Sequence, residues 1–367
     1  MSSHPTQTAA PAAKAAVGNI RPYTQGRATL AGGKAIKLSS NESAVGPSPA
    51  AIEAFHSVGD ALHRYPDGAQ RELREGIAEV YGLDAARIVC GNGSSELLDL
   101  VMRCYLAPGD EILLSDYHFE MCPIFARSQG AELVFAPERG DRVDVQALLD
   151  RVTERTRLLT IANPNNPSGT YITGDELAAL HAGLPANVVL LLDGAYTEYV
   201  DAPDYDDGAA LVESADNVVM TRSFSKIYAL AGLRVGWAYC PPSVIDVVQK
   251  IRTPFNANAA AMAAAAAAVR DTAHTERARA HNAEWLAIIT RELTALGVEV
   301  IPSVANFYLL RFDGVAAGSA AEAAEFLQQH GIIPRAVKQG GGNVLRITVG
   351  TAEENRAVLD TLAAFLD

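Results

Sequence analysis

From about Pro47 onward, amphipathic segments alternate with short apolar runs rich in leucine or β-branched residues. That rhythm predicts a layered α/β domain on a largely parallel sheet, with helices covering both faces. Seven runs read as strands, at 86–92, 110–116, 131–137, 157–164, 187–196, 217–223 and 234–240. Between them, 94–106 carries apolar residues at positions 97, 98, 101 and 102, the spacing of one helical face. A second helix over 143–153 turns Leu148, Leu149 and Val152 to the sheet. The alanine-rich stretch 259–269, closed by Arg270 and Asp271, falls short of the roughly 20 residues that cross a bilayer. It reads as a buried or dimer-facing helix. Beyond Arg270 the pattern changes to a long charged amphipathic helix over 272–297, strands within 298–312, a helix over 321–331 and a last strand over 343–350. These predict a second, smaller α+β domain.

Composition narrows the function classes. The 367 residues are enough for two domains. Thirty Lys and Arg against 43 Asp and Glu leave a net charge of −13, which disfavours a long nucleic-acid footprint. Cysteines 90, 104, 122 and 240 form no CxxC and no zinc spacing, so reduced thiols and no metal site are expected. Residues 1–18 break any apolar stretch with proline and polar residues. They read as a mostly disordered lead-in without an export signal, and the expectation is a cytoplasmic protein with no membrane partner.

The candidate chemistry lies at the ends of the apolar runs. Lys226 sits among hydroxyls in Arg222-Ser-Phe-Ser-Lys226, eight residues before Arg234. A lone lysine is usually solvated, but Asp193 ends a very apolar strand and Tyr196 follows three residues later. Strand ends are where open α/β sheets keep their sites. Asn166 lies in the turn-forming NPNNPSG, closed by Gly169. Gly93, Ser94 and Ser95 follow a strand and open a helix, where amides and hydroxyls can receive a phosphate. Taken singly, that last motif is a glycine turn with a serine cap. Together the residues fit one cofactor: Asp193 for a protonated heteroaromatic nitrogen, Lys226 for an aldehyde, Asn166 and Tyr196 for a ring hydroxyl. Ser223, Ser225 and Arg234 complete a phosphate cup. Pyridoxal 5'-phosphate requires those roles.

The segments NPNNPSGT (163–170), LLLDGAY (190–196) and SFSKIYALAGLRVG (223–236) resemble the pyridoxal-phosphate aminotransferases of fold type I, particularly the histidinol-phosphate branch. IRPY (20–23), LSSNES (38–43), RYPDG (64–68), GIIPRAV (331–337) and VLRITVG (344–350) follow in that family's order, so the resemblance runs from about Ile20 to the C-terminus. It implies a three-layer fold with a mostly parallel central sheet and a smaller α+β C-terminal domain. It also implies an N-terminal arm (1–45) shared by the small domain and dimer contacts, a large cofactor domain (46–270) and a small domain (271–367).

By the same resemblance, Lys226 carries the cofactor and moves the substrate proton, Asp193 binds the ring nitrogen, and Phe119 stacks on the ring. Tyr65 reaches the phosphate of a partner subunit, and Tyr23 lines the substrate entrance. Arg346 receives an α-carboxylate, Arg335 helps to hold a substrate phosphate, and Asn306 lies near this region. The implied reaction is reversible amino transfer from L-histidinol phosphate to 2-oxoglutarate in a homodimer with shared sites. An aromatic amino-acid aminotransferase is the alternative and a decarboxylase a more distant one. His118 is expected to pack rather than to act as a base, and Tyr199, Tyr205 and the acidic run 201–207 to form a solvated loop. Two segments depart from the family pattern, Asn41-Glu-Ser-Ala-Val-Gly46 and Tyr117-His118, and both bear on donor preference.

Overall fold

The computed structural model describes residues 12–30, 35–337 and 342–367. Most of the proposed lead-in, residues 1–11, lies outside the described residues; within the rest, Ala15–Gly18 form a single helical turn. Strand β1 is Ile36–Lys37. The seven apolar runs become β2 (Ile88–Gly91), β3 (Glu111–Ser115), β4 (Glu132–Ala136), β5 (Thr156–Ala162), β6 (Val189–Asp193), β7 (Val218–Ser223) and β8 (Gly236–Tyr239). They form one sheet in the order β2-β8-β7-β6-β5-β3-β4. All pairings are parallel except those of β8, which runs antiparallel to both neighbours. The large domain is therefore the mostly parallel α/β sheet that the sequence pattern predicts. Strands β2, β3, β6 and β7 are buried along their whole length, as continuous apolar runs require when both faces are covered.

The helix Ser94–Tyr105 buries Leu97, Leu98, Val101 and Met102 against this sheet. The helix anticipated over 143–153 is shorter, Val145–Leu149, capped by the Asp144 carboxylate. It ends early because the backbone N–H of Thr153 donates to the Thr156 hydroxyl and turns the chain into β5. The alanine-rich helix Ala259–Arg270 is buried within the chain, packed on the helices Pro49–Ser57 and Arg71–Tyr81. Alanine lets three helices approach closely there.

Strands β9 (Glu299–Ile301), β10 (Phe307–Arg311), β12 (Arg335–Val337) and β13 (Val344–Thr348) form an antiparallel sheet in the order β12-β13-β10-β9. The short β11 (Ile332–Ile333) pairs instead with β1, in parallel. Leu38, immediately after β1, joins Trp285, Ile289, Tyr308, Leu345 and Leu359 in one apolar core. The N-terminal segment is thus stitched into the C-terminal sheet, and Ser39 to Glu42 are carried to the ends of β6 and β7.

Candidate active site

The carboxyl ends of β2, β6 and β7 meet on one edge of the large sheet. Gly236 pairs with both Gly91 and Ser223 in register, which aligns the two strand ends. A Cβ at Gly236 would stand 2.4 Å from the Ser94 amide nitrogen, so only glycine lets the following helix approach. Gly93, at φ +85°, precedes that helix, and a Cβ there would meet Arg234 Nη2 at 2.5 Å. The guanidinium therefore lies over the helix N-terminus. Arg234 Nη1 donates to Ser225 Oγ (3.2 Å), and the Ser225 amide donates to Ser223 Oγ (3.0 Å). Arg234 has no carboxylate within 4 Å among the described residues, so a cation, hydroxyls and helix amides converge with no anion to balance them.

This cradle opens into a cavity of about 520 Å³ whose wall includes Ser94, Ser95, Asp193, Ser223, Ser225 and Lys226. Asp193 is 6% exposed, and its Oδ1 accepts from Thr221 Oγ1 at 3.2 Å. Burial pushes its carboxyl up to about 6 against the opposing effects of Thr221, the Ala195 amide and the charge of Lys226. Lys226 Nζ donates to the Ser40 carbonyl at 3.2 Å. Burial, reinforced by the Arg346 charge, pushes its amine down to about 8. A neutral lysine is the form that attacks an aldehyde. The buried Tyr196 hydroxyl accepts from Asn41 Nδ2 at 2.9 Å.

A second cavity, about 290 Å³, adjoins the first, and Phe119, Asn166, Tyr196 and Lys226 wall both. Its far side carries Tyr23, Arg335 and Arg346. Arg346 Nη1 donates to Asn166 Oδ1 (2.6 Å) and Nη2 to the Ser39 carbonyl (3.2 Å), while its buried Nε has no partner among the described residues. Arg335 stands directly opposite Arg346 in the β12–β13 register. Like charges facing each other across strands destabilise a sheet unless something anionic separates them. The carboxylate of Glu120 lies 3.4 Å from Arg335 and is itself largely exposed.

Residues 33–362 match the family described as aminotransferase class I and II. The chain belongs to that family. Histidinol-phosphate aminotransferase of Paramagnetospirillum magneticum is 49% identical over 359 residues, covering 97% of this chain and 99% of that protein. The Rhodospirillum centenum protein of the same name is 49% identical over 350 residues, covering 95% and 96%. Among solved structures, histidinol-phosphate aminotransferase from Sinorhizobium meliloti, in complex with pyridoxal-5'-phosphate, superposes with a TM-score of 0.85 at 28% identity, covering 91% of each chain.

In this aminotransferase three more of the residues named from the sequence stand away from the centre of the two cavities. Asn306 is 2% exposed and lines neither cavity; its Nδ2 donates to the carbonyls of Asn41 (3.0 Å) and Glu42 (3.3 Å), behind the wall rather than on it. Tyr65 is 83% exposed and stacks on Phe255, outside both cavities of its own chain. The ring nitrogen Nδ1 of His118 lies 2.8 Å from the Ser115 carbonyl, the ring stacks on Phe135, and burial lowers its basicity.

The acidic run 201–207 is exposed at Asp201, Pro203, Asp204 and Asp206, as a solvated loop requires, but Tyr199 and Tyr205 are tied into the fold. Tyr199 is buried, and the Tyr205 hydroxyl donates to the Asn163 carbonyl at 2.8 Å. Asp207 pairs with Arg222, a 2% exposed guanidinium that also meets Glu198 at 3.1 Å and lies over the rings of Tyr81 and Trp237. A buried arginine needs counter-charge, and this loop supplies it. Ser39, Ser40 and Asn41 also belong to the site, touching Arg346, Lys226 and Tyr196 in turn, although no local signal in their segment marks them.

Proposed function

We propose that the chain is a histidinol-phosphate aminotransferase that uses pyridoxal 5'-phosphate to move an amino group reversibly from L-histidinol phosphate to 2-oxoglutarate, giving imidazole acetol phosphate and glutamate. The observation that carries the choice of donor is the facing pair Arg335 and Arg346 on one wall of the outer cavity. Two adjacent guanidinium groups suit a dianionic phosphate, or the two carboxylates of 2-oxoglutarate, better than the single carboxylate of an aromatic amino acid. The names of the relatives support the same donor.

The residues of the inner cavity fit the cofactor. Asp193 is a buried carboxylate with no cation within 4 Å among the described residues, and a protonated ring nitrogen supplies one. Gly93, Ser94, Ser95, Ser223, Ser225 and Arg234 would hold its phosphate, Phe119 its ring, and Asn166 and Tyr196 its hydroxyl. Bound there, the cofactor supplies an aldehyde for amines and a ring that accepts electrons. Lys226 Nζ would hold the aldehyde until a donor amine displaces it, and the freed amine would then accept the proton from the amine-bearing carbon. Asp193 would keep the ring nitrogen protonated, and Arg346, hydrogen-bonded to Asn166, would bind the anionic end of the donor.

We assign residues 46–270 to the cofactor domain and residues 1–45 and 271–367 to the small domain and arm. The exposed Leu62, Tyr65, Phe55 and Ile52 form an apolar face that suits a homodimer, with Tyr65 entering the partner's phosphate cup. A fully active monomer at assay concentration contradicts this sharing. The donor assignment is tested with Arg335→Ala. The expected result is a KM for histidinol phosphate raised about 30- to 100-fold, as loss of a charge-assisted contact costs about 2–3 kcal/mol, with a much smaller rise for phenylalanine. Equal penalties for both donors would remove Arg335 from phosphate recognition.

A further inference from the structure

Asn41 occupies a position no catalytic role explains. It is 1% exposed, with φ at +56°, a left-handed conformation that asparagine tolerates better than most residues. Its backbone N–H donates to Thr348 Oγ1 at 2.9 Å. That hydroxyl keeps its own proton to donate to Asn41 Oδ1, at 3.3 Å. The threonine thereby fixes which end of the side-chain amide is oxygen, a choice that hydrogen-bonding partners must decide. The nitrogen end is left facing Tyr196, and Nδ2 donates to the phenol oxygen at 2.9 Å.

A phenol that already accepts from Asn41 sends its own proton elsewhere. Among the described residues the Tyr196 hydroxyl has no other hydrogen-bond partner, and the open side of the residue is the wall shared by the two cavities. Burial holds the phenol near 12, so it keeps that proton at neutral pH. We infer that Asn41 is a positioning residue: with Thr348 it locks Tyr196 as a hydrogen-bond donor aimed at the ring oxygen of the cofactor. The inference rests on the reading that the inner cavity holds pyridoxal phosphate.

Without Asn41 the phenol can rotate or accept from another donor, and the ring oxygen loses part of its stabilisation as an anion. The proton shared between that oxygen and the Lys226 nitrogen is then held more tightly, so the pH midpoint of the visible absorption band of the loaded enzyme rises.

The test is a spectroscopic pH titration of the holoenzyme, its Asn41→Gly and Tyr196→Phe variants, and the double variant. Glycine keeps the left-handed backbone and removes only the side chain. Asn41→Gly is expected to raise the midpoint by about half to one unit, a loss of one hydrogen bond to a charged group, and to add nothing once Tyr196 is phenylalanine. An unchanged midpoint, or an equal shift in the Tyr196→Phe background, overturns the inference. If Asn41→Gly does not retain cofactor, Thr348→Val, which frees the amide to flip, is expected to shift the midpoint in the same direction, and no shift there overturns it. A wild-type chain that gains no visible band with pyridoxal phosphate instead overturns the reading of the cavity itself.

Discussion

Lys226→Ala is expected to lower turnover at least about 10⁴-fold while the protein still binds pyridoxal phosphate. The loss combines two roles held by one nitrogen. Nζ is the only amine on the wall common to both cavities among the described residues, and it lies within hydrogen-bond reach of the Ser40 carbonyl. Without it the aldehyde loses its proposed covalent anchor and the substrate proton its proposed acceptor; the other lysine on the inner wall, Lys37, is paired with Glu42. The variant should therefore bind cofactor that dialysis removes and lack the absorption of a lysine-linked chromophore. Turnover within tenfold of wild type would take the proton-transfer role away from Lys226.

Asp193→Asn carries the second large effect and separates function from stability. Turnover should fall about 10³-fold, because an amide cannot hold a proton on the ring nitrogen while electrons move into the ring. Stability of the cofactor-free protein should move the other way. The carboxyl of Asp193 is raised from its ordinary value to about 6 by burial, so its folded form binds a proton more tightly than its unfolded form. A group of that sign loses stability as pH rises from about 4 through 6, and the cost at pH 8 is on the order of 2–3 kcal/mol. Cofactor-free Asp193→Asn should therefore melt above wild type at pH 8 and converge with it below pH 4. A cofactor-free variant less stable than wild type at pH 8 would mean that the carboxylate is already compensated in the empty cavity.

The two effects share a cause. Burial acts on both groups in the direction that disfavours their charge, raising the Asp193 carboxyl to about 6 and lowering the Lys226 amine to about 8. A cationic ring nitrogen beside Asp193 and an aldehyde beside a partly neutral Lys226 relieve both at once. Binding energy and catalytic readiness thus come from one arrangement of strand ends.

What could be read from the sequence depended on how local the information was. The seven strands of the large sheet were legible because unbroken apolar runs such as 188–192 suit strands covered on both faces. Lys226, Asp193 and the Gly93–Ser95 turn were legible because strand ends and helix starts advertise themselves. Asn41 was not. Its meaning depends on a left-handed backbone and on partners 155 and 307 positions away, Tyr196 and Thr348. The facing of Arg335 and Arg346 likewise depends on the β12–β13 register, which neither strand specifies alone. Within the acidic run 201–207 the pairing of Asp207 was not legible, because the buried Arg222 that it meets stands fifteen residues on. Asn306 was near the right place but on the wrong side of the wall, a distinction of side-chain direction that sequence order does not carry.

The preference expected of this aminotransferase is for a phosphorylated amino donor. It is tested most directly by comparing kcat/KM of the wild-type holoenzyme for histidinol phosphate, histidinol, phenylalanine and tyrosine, with 2-oxoglutarate as acceptor and glutamate and oxo product both quantified. Histidinol phosphate is expected to exceed each other donor by at least about 100-fold, the worth of two charge-assisted contacts to a dianion. Phenylalanine or tyrosine equalling or surpassing histidinol phosphate would contradict it.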